Sequence, residues 1–393
     1  MPSSAARTST RVFPKGGFNA RKDAGRPSIH LSLPKRTAGM GSGGDGTNAE
    51  SKEGLTGAAA PGAEQPVQQY ALPTVTLVGL GVGVVSASAC TALLIHLDPA
   101  VGALQLDGAV ALCAGSLFYW LLSILSSDVS IVDLWWPQSY VLQAWVFAFS
   151  VPDGFSSTRK LATLALVSVW GARLAIHLTL RKWREGWEED RRYPERVLVL
   201  VRGQVPSIVF HLVSLLQVFV MQGSWMWLVG QSLLVVFVHG ESPECDDEPL
   251  LSTCGLGVFD AVAAALWLIG FVFEAGSDLQ LQLFKADPSK RGTVCDGGFF
   301  KYTRHPNYFG DFTVWLSFFC VAAPLNGGYG VMSIGSPLLM FILLRFVSGV
   351  TINDAVQAKK PKYKNYIATT PAFFPWCRKD LDAASAAALT GPE

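Results

Sequence analysis

Long uncharged tracts and short charged bursts alternate along the chain. From Gln204 to Gly240 there is no Lys, Arg, Asp or Glu, and the same holds from Phe312 to Leu344. A helix needs about 20 mainly apolar residues to cross a bilayer, so each tract is long enough to do so. The pattern predicts an all-α, polytopic transmembrane helical bundle of about eight or nine spans. Candidate spans fall at 72–97, 104–127, 131–150, 157–180, 204–240, 255–276, 309–328 and 331–352. PLNGGYG at 324–330 is turn chemistry that splits the second uncharged tract into a hairpin. In the first tract, Gly223–Ser224 reads either as a tight turn between two short spans or as a bend in one long one. Basic clusters at 181–192, 285–304 and 359–364 prefer one face of the membrane. A single crossing in 204–240 followed by one in 255–276 would put the first two together, with the acidic ESPECDDE at 241–248 opposite.

Composition supports the same class. Half of the residues are hydrophobic and 16% are charged, against about a quarter in an ordinary soluble chain. A net charge of +1, with no zinc-finger spacing and no long basic stripe, gives no reason to expect nucleic acid. The seven cysteines have no close paired spacing, so no disulfide framework or metal site is expected. The N-terminus is different material. The first forty residues hold eight Arg or Lys and a single acid, Asp23. Such acid-poor, Ser-rich leaders resemble organelle transit peptides. Residues 1–68 are therefore read as transit peptide and disordered linker, with a plastid favoured and the endoplasmic reticulum as alternative. The multi-span membrane domain is read as 69–380.

Ionisable groups at span ends carry the candidate chemistry, because charge inside a membrane is costly and usually functional. Asp128 and Asp133 sit in SSDVSIVDLWWPQSY, where Asp133 faces either a ligand cavity or an interfacial Trp belt. Arg173 and His177 are four apart on one helical face in VWGARLAIHLTLRKW, and Arg173 alone could snorkel to the surface. GWEEDRRY, which follows, reads by itself as a charged loop. Glu274, Asp278 and Lys285 line one side of the next helix end, two acids and a base that suit a ribose or carboxamide and a phosphate. RHPNY then brings Arg304, His305, Asn307 and Tyr308, with Asp311 three residues on and Pro306 at a helix start. Arg suits phosphate, Asn both donates and accepts, and Tyr308 or His305 can donate a proton. Arg345 ends the second uncharged tract, and Asp354, Lys360 and Tyr363 beyond it could close the same pocket.

LFKADPSKRGTVCDGGFFKYTRHPNYFGDFTVW and the KPKYKNYIATTPAFFPW tail resemble the steroid 5-alpha-reductase C-terminal family. The pattern is closest to the DUF1295 branch, which also carries the earlier VDLWWP, WGARLAIHL and EEDRRY. The resemblance runs over about 125–376. It implies a multi-span membrane reductase that binds NADPH through its second half, about 255–376, and reduces a carbon–carbon double bond of an apolar lipid substrate. On that pattern Glu274, Asp278, Lys285, Asn307, Arg345 and Asp354 are expected at the cofactor, with Glu274 standing where steroid reductases often have Asn and Asp354 where many relatives have Glu. Arg304 and Asp311, read from the RHPNY stretch itself, are expected beside them. No Gly-rich dinucleotide fingerprint is needed. Two other classes remain. One is a membrane methyltransferase of the isoprenylcysteine type, which uses S-adenosylmethionine and has less need of Lys285, Arg304 and Arg345 together. The other is a non-catalytic lipid-binding protein, which would tolerate substitution at Asn307 and Asp278.

Overall fold

The computed structural model describes residues 99–190, 206–240, 256–326 and 328–380, with the single residues Val85 and Tyr193. The expected leader and linker lie outside these residues, and of the first expected span only Val85 is among them. Among the described residues every regular element is helical: α1 Pro99–Ser126, α2 Val132–Ser150, α3 Thr158–Arg184, α4 Ser207–Val229, α5 Gln231–His239, α6 Val258–Ala286 and α7 Pro306–Ala322. A segmented run then spans Gly328–Gln357, including α8 Gly335–Ile342 and α9 Val350–Gln357, and α10 Pro361–Thr369 follows. Five helical stretches are long and apolar enough to cross a membrane: Val101–Ser126, Thr158–Arg184, Ser207–Val229, Val258–Ala286 and Gly328–Gln357. The protein is thus built as an integral membrane protein. The segments expected at 131–150 and 309–328 form the shorter α2 and α7.

The tract 204–240 does not turn at Gly223–Ser224. Helix α4 continues through both residues and ends at Gly230, after a π-helical turn at Leu215–Val220. The break falls at Gly230, where the Gln143 side chain packs against the glycine in the place a Cβ would take. Helix starts follow local chemistry. Ser157 Oγ accepts from the Lys160 amide to begin α3, and the Asp260 carboxylate accepts from the Gly257 amide to begin α6. Pro306 occupies the first turn of α7, where its missing N–H costs nothing.

Helices α3 and α6 run parallel and are joined by two polar clasps. Near their starts, buried Arg159 makes a two-pronged pair with Asp260, at 3.0 Å on each prong, and also donates to the Gly240 carbonyl. Fourteen residues further along both helices (159 to 173, 260 to 274), or about 21 Å, Arg173 meets Glu274. Helix α7 lies antiparallel against α6 through a glycine contact. A Cβ on Gly310 would stand 2.5 Å from the Glu274 amide nitrogen and 2.6 Å from the Gly270 carbonyl oxygen. Tyr140 from α2, Trp170 from α3 and Trp315 from α7 fill the centre, with Tyr140 and Trp315 ring centroids 4.3 Å apart. Phe118, Leu125, Leu268, Leu279 and Leu283 face outward, as suits lipid rather than water.

Small-residue contacts between membrane helices act through close backbone approach. Gly310→Ala is therefore expected to destabilise the detergent-solubilised protein by about 1–3 kcal/mol. Gly328→Ala, with nothing within 4 Å of the added carbon, should leave the unfolding midpoint unchanged.

Candidate functional site

The end of the bundle where α3 and α6 finish and α7 begins carries two polar clusters and a cavity beside them. The deeper cluster centres on Arg173. Its guanidinium donates to Glu274 Oε1 at 2.7 Å and Asp278 Oδ2 at 2.5 Å, and reaches the Glu274 carbonyl at 3.3 Å. Trp170 Nε1 donates to the other Glu274 oxygen at 2.8 Å. His177 Nε2 stands 3.6 Å from Asp278 Oδ2. Both acids are buried, Glu274 at 3% and Asp278 at 9% exposure. Charged hydrogen bonds in a low-dielectric interior are strong, and removing one partner of such a set is correspondingly costly. Asp311 joins from α7, within electrostatic range of Arg173, Glu274 and Asp278, with the Trp315 indole beside it. Its Oδ1 is buried without a hydrogen-bond partner among the described residues, and so are the hydroxyl of Tyr140 and the indole nitrogen of Trp315.

Asn307 precedes Asp311 by one turn of α7, while Asp278 follows Glu274 by one turn of antiparallel α6. Because Gly310 abuts Glu274, this register puts Asn307 level with Asp278. Asn307 is half-buried and makes no side-chain hydrogen bond with the described residues. Lys285 is exposed at the last turn of α6. Arg345 lies in a π-helical turn, Leu343–Val347, with its guanidinium 5.1 Å from the Phe346 ring centre.

The second cluster is built by RHPNY and the C-terminal segment. Arg304 uses four of its five N–H donors within the protein: two on Asp354, at 3.3 and 2.6 Å, and two on the carbonyls of Ile367 and Thr370. His305 Nε2 is 3.0 Å from Asp354 Oδ1, and its ring stacks on Tyr308 at 5.3 Å. Asn353 Nδ2 donates to the Tyr308 oxygen at 2.8 Å. The tail is fastened by Thr303 Oγ1 to the Phe373 carbonyl, by the Arg304 amide to the Pro371 carbonyl and by the Trp376 amide to the Tyr302 carbonyl. Gln280 holds the Gly297–Phe299 turn from α6, and Gly298 there has φ +57°, a conformation that favours glycine. Burial, with Asp354 adding to it, pushes the Tyr363 phenol up to about 12, and burial raises Tyr366 further. Tyr366 therefore stays a donor, bonded to the Phe300 carbonyl at 2.6 Å.

The cavity, of about 450 Å³, lies between the start of α2 and the end of α3, lined by residues that include Asp133, Arg181, Lys182, Glu188 and Asp190. Lys182 pairs with Asp128 at 2.6 Å and donates to Ser130 Oγ. Tyr193 donates to Asp133, and Glu189 accepts from the Val129 amide at 2.8 Å. Glu188, Glu189, Asp190 and Tyr193 of GWEEDRRY thus pack against the start of α2 and the turn before it, and Asp133 faces a cavity.

These stretches are also the ones a family model recognises. The model of DUF1295, described as a protein of unknown function, matches residues 119–370. The chain belongs to the DUF1295 family. Among curated proteins it is similar to uncharacterized protein C594.04c of Schizosaccharomyces pombe, with 23% identity over 223 residues, or 52% of this chain and 60% of that one. It is also similar to probable O-methyltransferase ustE of Ustilaginoidea virens, with 31% identity over 104 residues, or 26% of this chain and 34% of that one. The chain thus matches less than two thirds of the length of either relative. No solved structure matches it.

In this DUF1295 protein, Glu274, Asp278, Asp311 and Arg173 come together in one cluster, and Arg304, His305, Tyr308 and Asp354 in another. Lys285 and Arg345 stand apart from both. Trp170 and Tyr140 had no signal beyond being aromatic residues in apolar helices. Arg304→Lys is expected to lower the unfolding midpoint nearly as much as Arg304→Met, because an ammonium cannot bridge Asp354 and two carbonyls in one plane. Hydrogen exchange should show the Trp376 and Lys379 amides losing protection in both variants.

Proposed function

We propose that this DUF1295 member is a membrane oxidoreductase that uses NADPH to reduce a carbon–carbon double bond of a lipid substrate, whether steroid, prenyl or acyl. The observation that carries the reading is the gathering of three carboxyl groups and Arg173 inside an apolar bundle, level with the helix start that holds Asn307. Asp311 Oδ1 and the Tyr140 hydroxyl are among seven buried side-chain atoms without a hydrogen-bond partner within the described residues. Such atoms fit a ligand with its own donors and acceptors, as the nicotinamide end of the cofactor has. When bound, NADPH supplies the hydride.

The protein's own residues do the rest. Arg173 and Trp170 fix Glu274 and Asp278 as acceptors for the nicotinamide nucleoside. Asn307 both donates and accepts beside them. Lys285 and Arg345 supply positive charge for the phosphates at the exposed end, while Arg304 positions the wall formed by the C-terminal segment. Tyr308 or His305 gives the proton, and the Asn353 amide that donates to the Tyr308 oxygen would steady the phenolate left behind. Exposed apolar side chains around the bundle suit a substrate that arrives from the bilayer. The basic, acid-poor leader favours a plastid membrane, with the endoplasmic reticulum as alternative.

The local similarity to a protein named as a probable O-methyltransferase favours a second reading, methyl transfer from S-adenosylmethionine. Calorimetry on the detergent-purified protein separates the two. The proposal expects NADPH binding that weakens at least about tenfold, some 1.4 kcal/mol, in Asn307→Ala and in Lys285→Ala. Binding of S-adenosylmethionine and not NADPH would move the protein to methyl transfer, and binding of neither would sink both enzyme readings.

A further inference from the structure

The C-terminal wall carries positive charge that the described residues do not neutralise. Residues 355–380 hold six Lys or Arg and one acid, Asp380. Arg378 is used within the protein, on Asp296 and on the Lys301 carbonyl. Lys359, Lys360, Lys362, Lys364 and Lys379 are exposed and have no ion pair among the described residues. Four of them fall within six residues, between the end of α9 and the first turn of α10. Helix α10 turns Tyr366 inward, onto the Phe300 carbonyl, and leaves Lys362 and Lys364 outside. Exposed Lys301 adds a further cation from the turn before α7, its ammonium 5.6 Å from the Tyr302 ring centre. Aromatic rings stand beside this charge. Buried Phe373 packs on Phe312 of α7 and Phe341 of α8, with centroids 5.9 and 5.0 Å away. Phe374 and Trp376, one and three residues on, are 52% and 75% exposed.

We propose that this face is a docking surface for the anionic lipid headgroups of the protein's own bilayer. Lys359, Lys360, Lys362 and Lys364 meet lipid phosphates, while Phe374 and Trp376 enter the boundary between headgroups and acyl chains. Phe312 lies less than two turns from the start of α7. Its contacts with Phe373 and Phe374 therefore fix the tail at the end of an apolar helix, the level at which aromatic side chains meet headgroups. Lysines on the adjoining α10 then stand within a Debye length of the leaflet surface, where each adds to the attraction of anionic lipid. A soluble polyanion would neutralise the lysines and leave the two rings in water, whereas a lipid surface takes up both. Docking also acts on the polar cluster behind the wall. Arg304 donates to the Ile367 and Thr370 carbonyls at the end of α10 and pairs with Asp354, which His305 also meets. Lipid that holds α10 from outside thus steadies Arg304, His305 and Asp354, whatever reaction they serve.

The test is hydrogen exchange on the full-length protein in nanodiscs of phosphatidylcholine, with and without phosphatidylglycerol. It reads the Trp376 and Lys379 amides, which donate to the Tyr302 and Thr369 carbonyls. The expected result is protection at least about tenfold higher with phosphatidylglycerol at low salt, with most of the gain lost at high salt. The triple variant Lys359→Gln/Lys362→Gln/Lys364→Gln should abolish the gain. Because these side chains are exposed and have no ion pair among the described residues, its unfolding midpoint in phosphatidylcholine alone should equal that of wild type. A clear fall of that midpoint would assign the lysines to contacts within the protein and contradict the proposal. No gain in wild type would also overturn it, leaving the lysines to set orientation alone, and so would a gain that survives in the triple variant. An equal gain from inorganic phosphate, added to phosphatidylcholine nanodiscs at matched ionic strength, would make the cluster a site for soluble anions and overturn lipid docking.

Discussion

Arg173 is the residue on which the arrangement depends. Lipid offers no water to solvate a carboxylate, so Glu274 and Asp278 can occupy the inner face of α6 only if a cation is delivered to them. That cation comes from α3, and its placement fixes the rotation of α6. With the Arg159–Asp260 clasp lower down, it also holds the two helices parallel and in register. The Gly270–Gly310 contact then lets α7 approach α6 closely enough to bring Asp311 to the same point. The start of α7, with Asn307 and the RHPNY residues, is carried there by the same packing.

The two polar clusters divide the work differently. Around Arg304 almost every donor is used within the protein, and the result is a fastened wall made from the tail, α9 and the turn before α7. Around Arg173 the bonding is strong but incomplete, with orphan atoms on Asp311 and Tyr140. Under the proposed function, a site that binds and releases a ligand would use both parts. Rigidity would keep the proposed reacting groups in place, and polar atoms with free hydrogen-bonding capacity would meet those of the ligand.

Much of the fold was legible in the sequence because membrane crossing leaves a one-dimensional trace. The uncharged tracts, the stop at PLNGGYG and Pro306 as a helix start all follow from local composition. Arg173 and His177 could be placed on one face by spacing, and so could Glu274 and Asp278, but nothing local says that the faces meet, because the partners are 101 to 105 residues apart. Arg304 shows the same limit of local reading. An Arg beside His and Asn suggests phosphate, and nothing local reveals its carbonyl partners 63 and 66 residues downstream. Tyr140 leaves no signal at all, since a Tyr in an apolar helix reads as packing until its hydroxyl is found without a partner.

The most direct measurement is a double-mutant cycle on Arg173 and Glu274, by equilibrium unfolding in mixed micelles with Arg173→Met, Glu274→Gln and the pair. The account predicts that Arg173→Met alone costs about 3–5 kcal/mol, because it strands buried acids. The double variant should be less destabilised than the sum of the singles by at least about 1 kcal/mol. Strict additivity would mean that Arg173 and Glu274 do not act as a pair, and the account of how this site is assembled would fail.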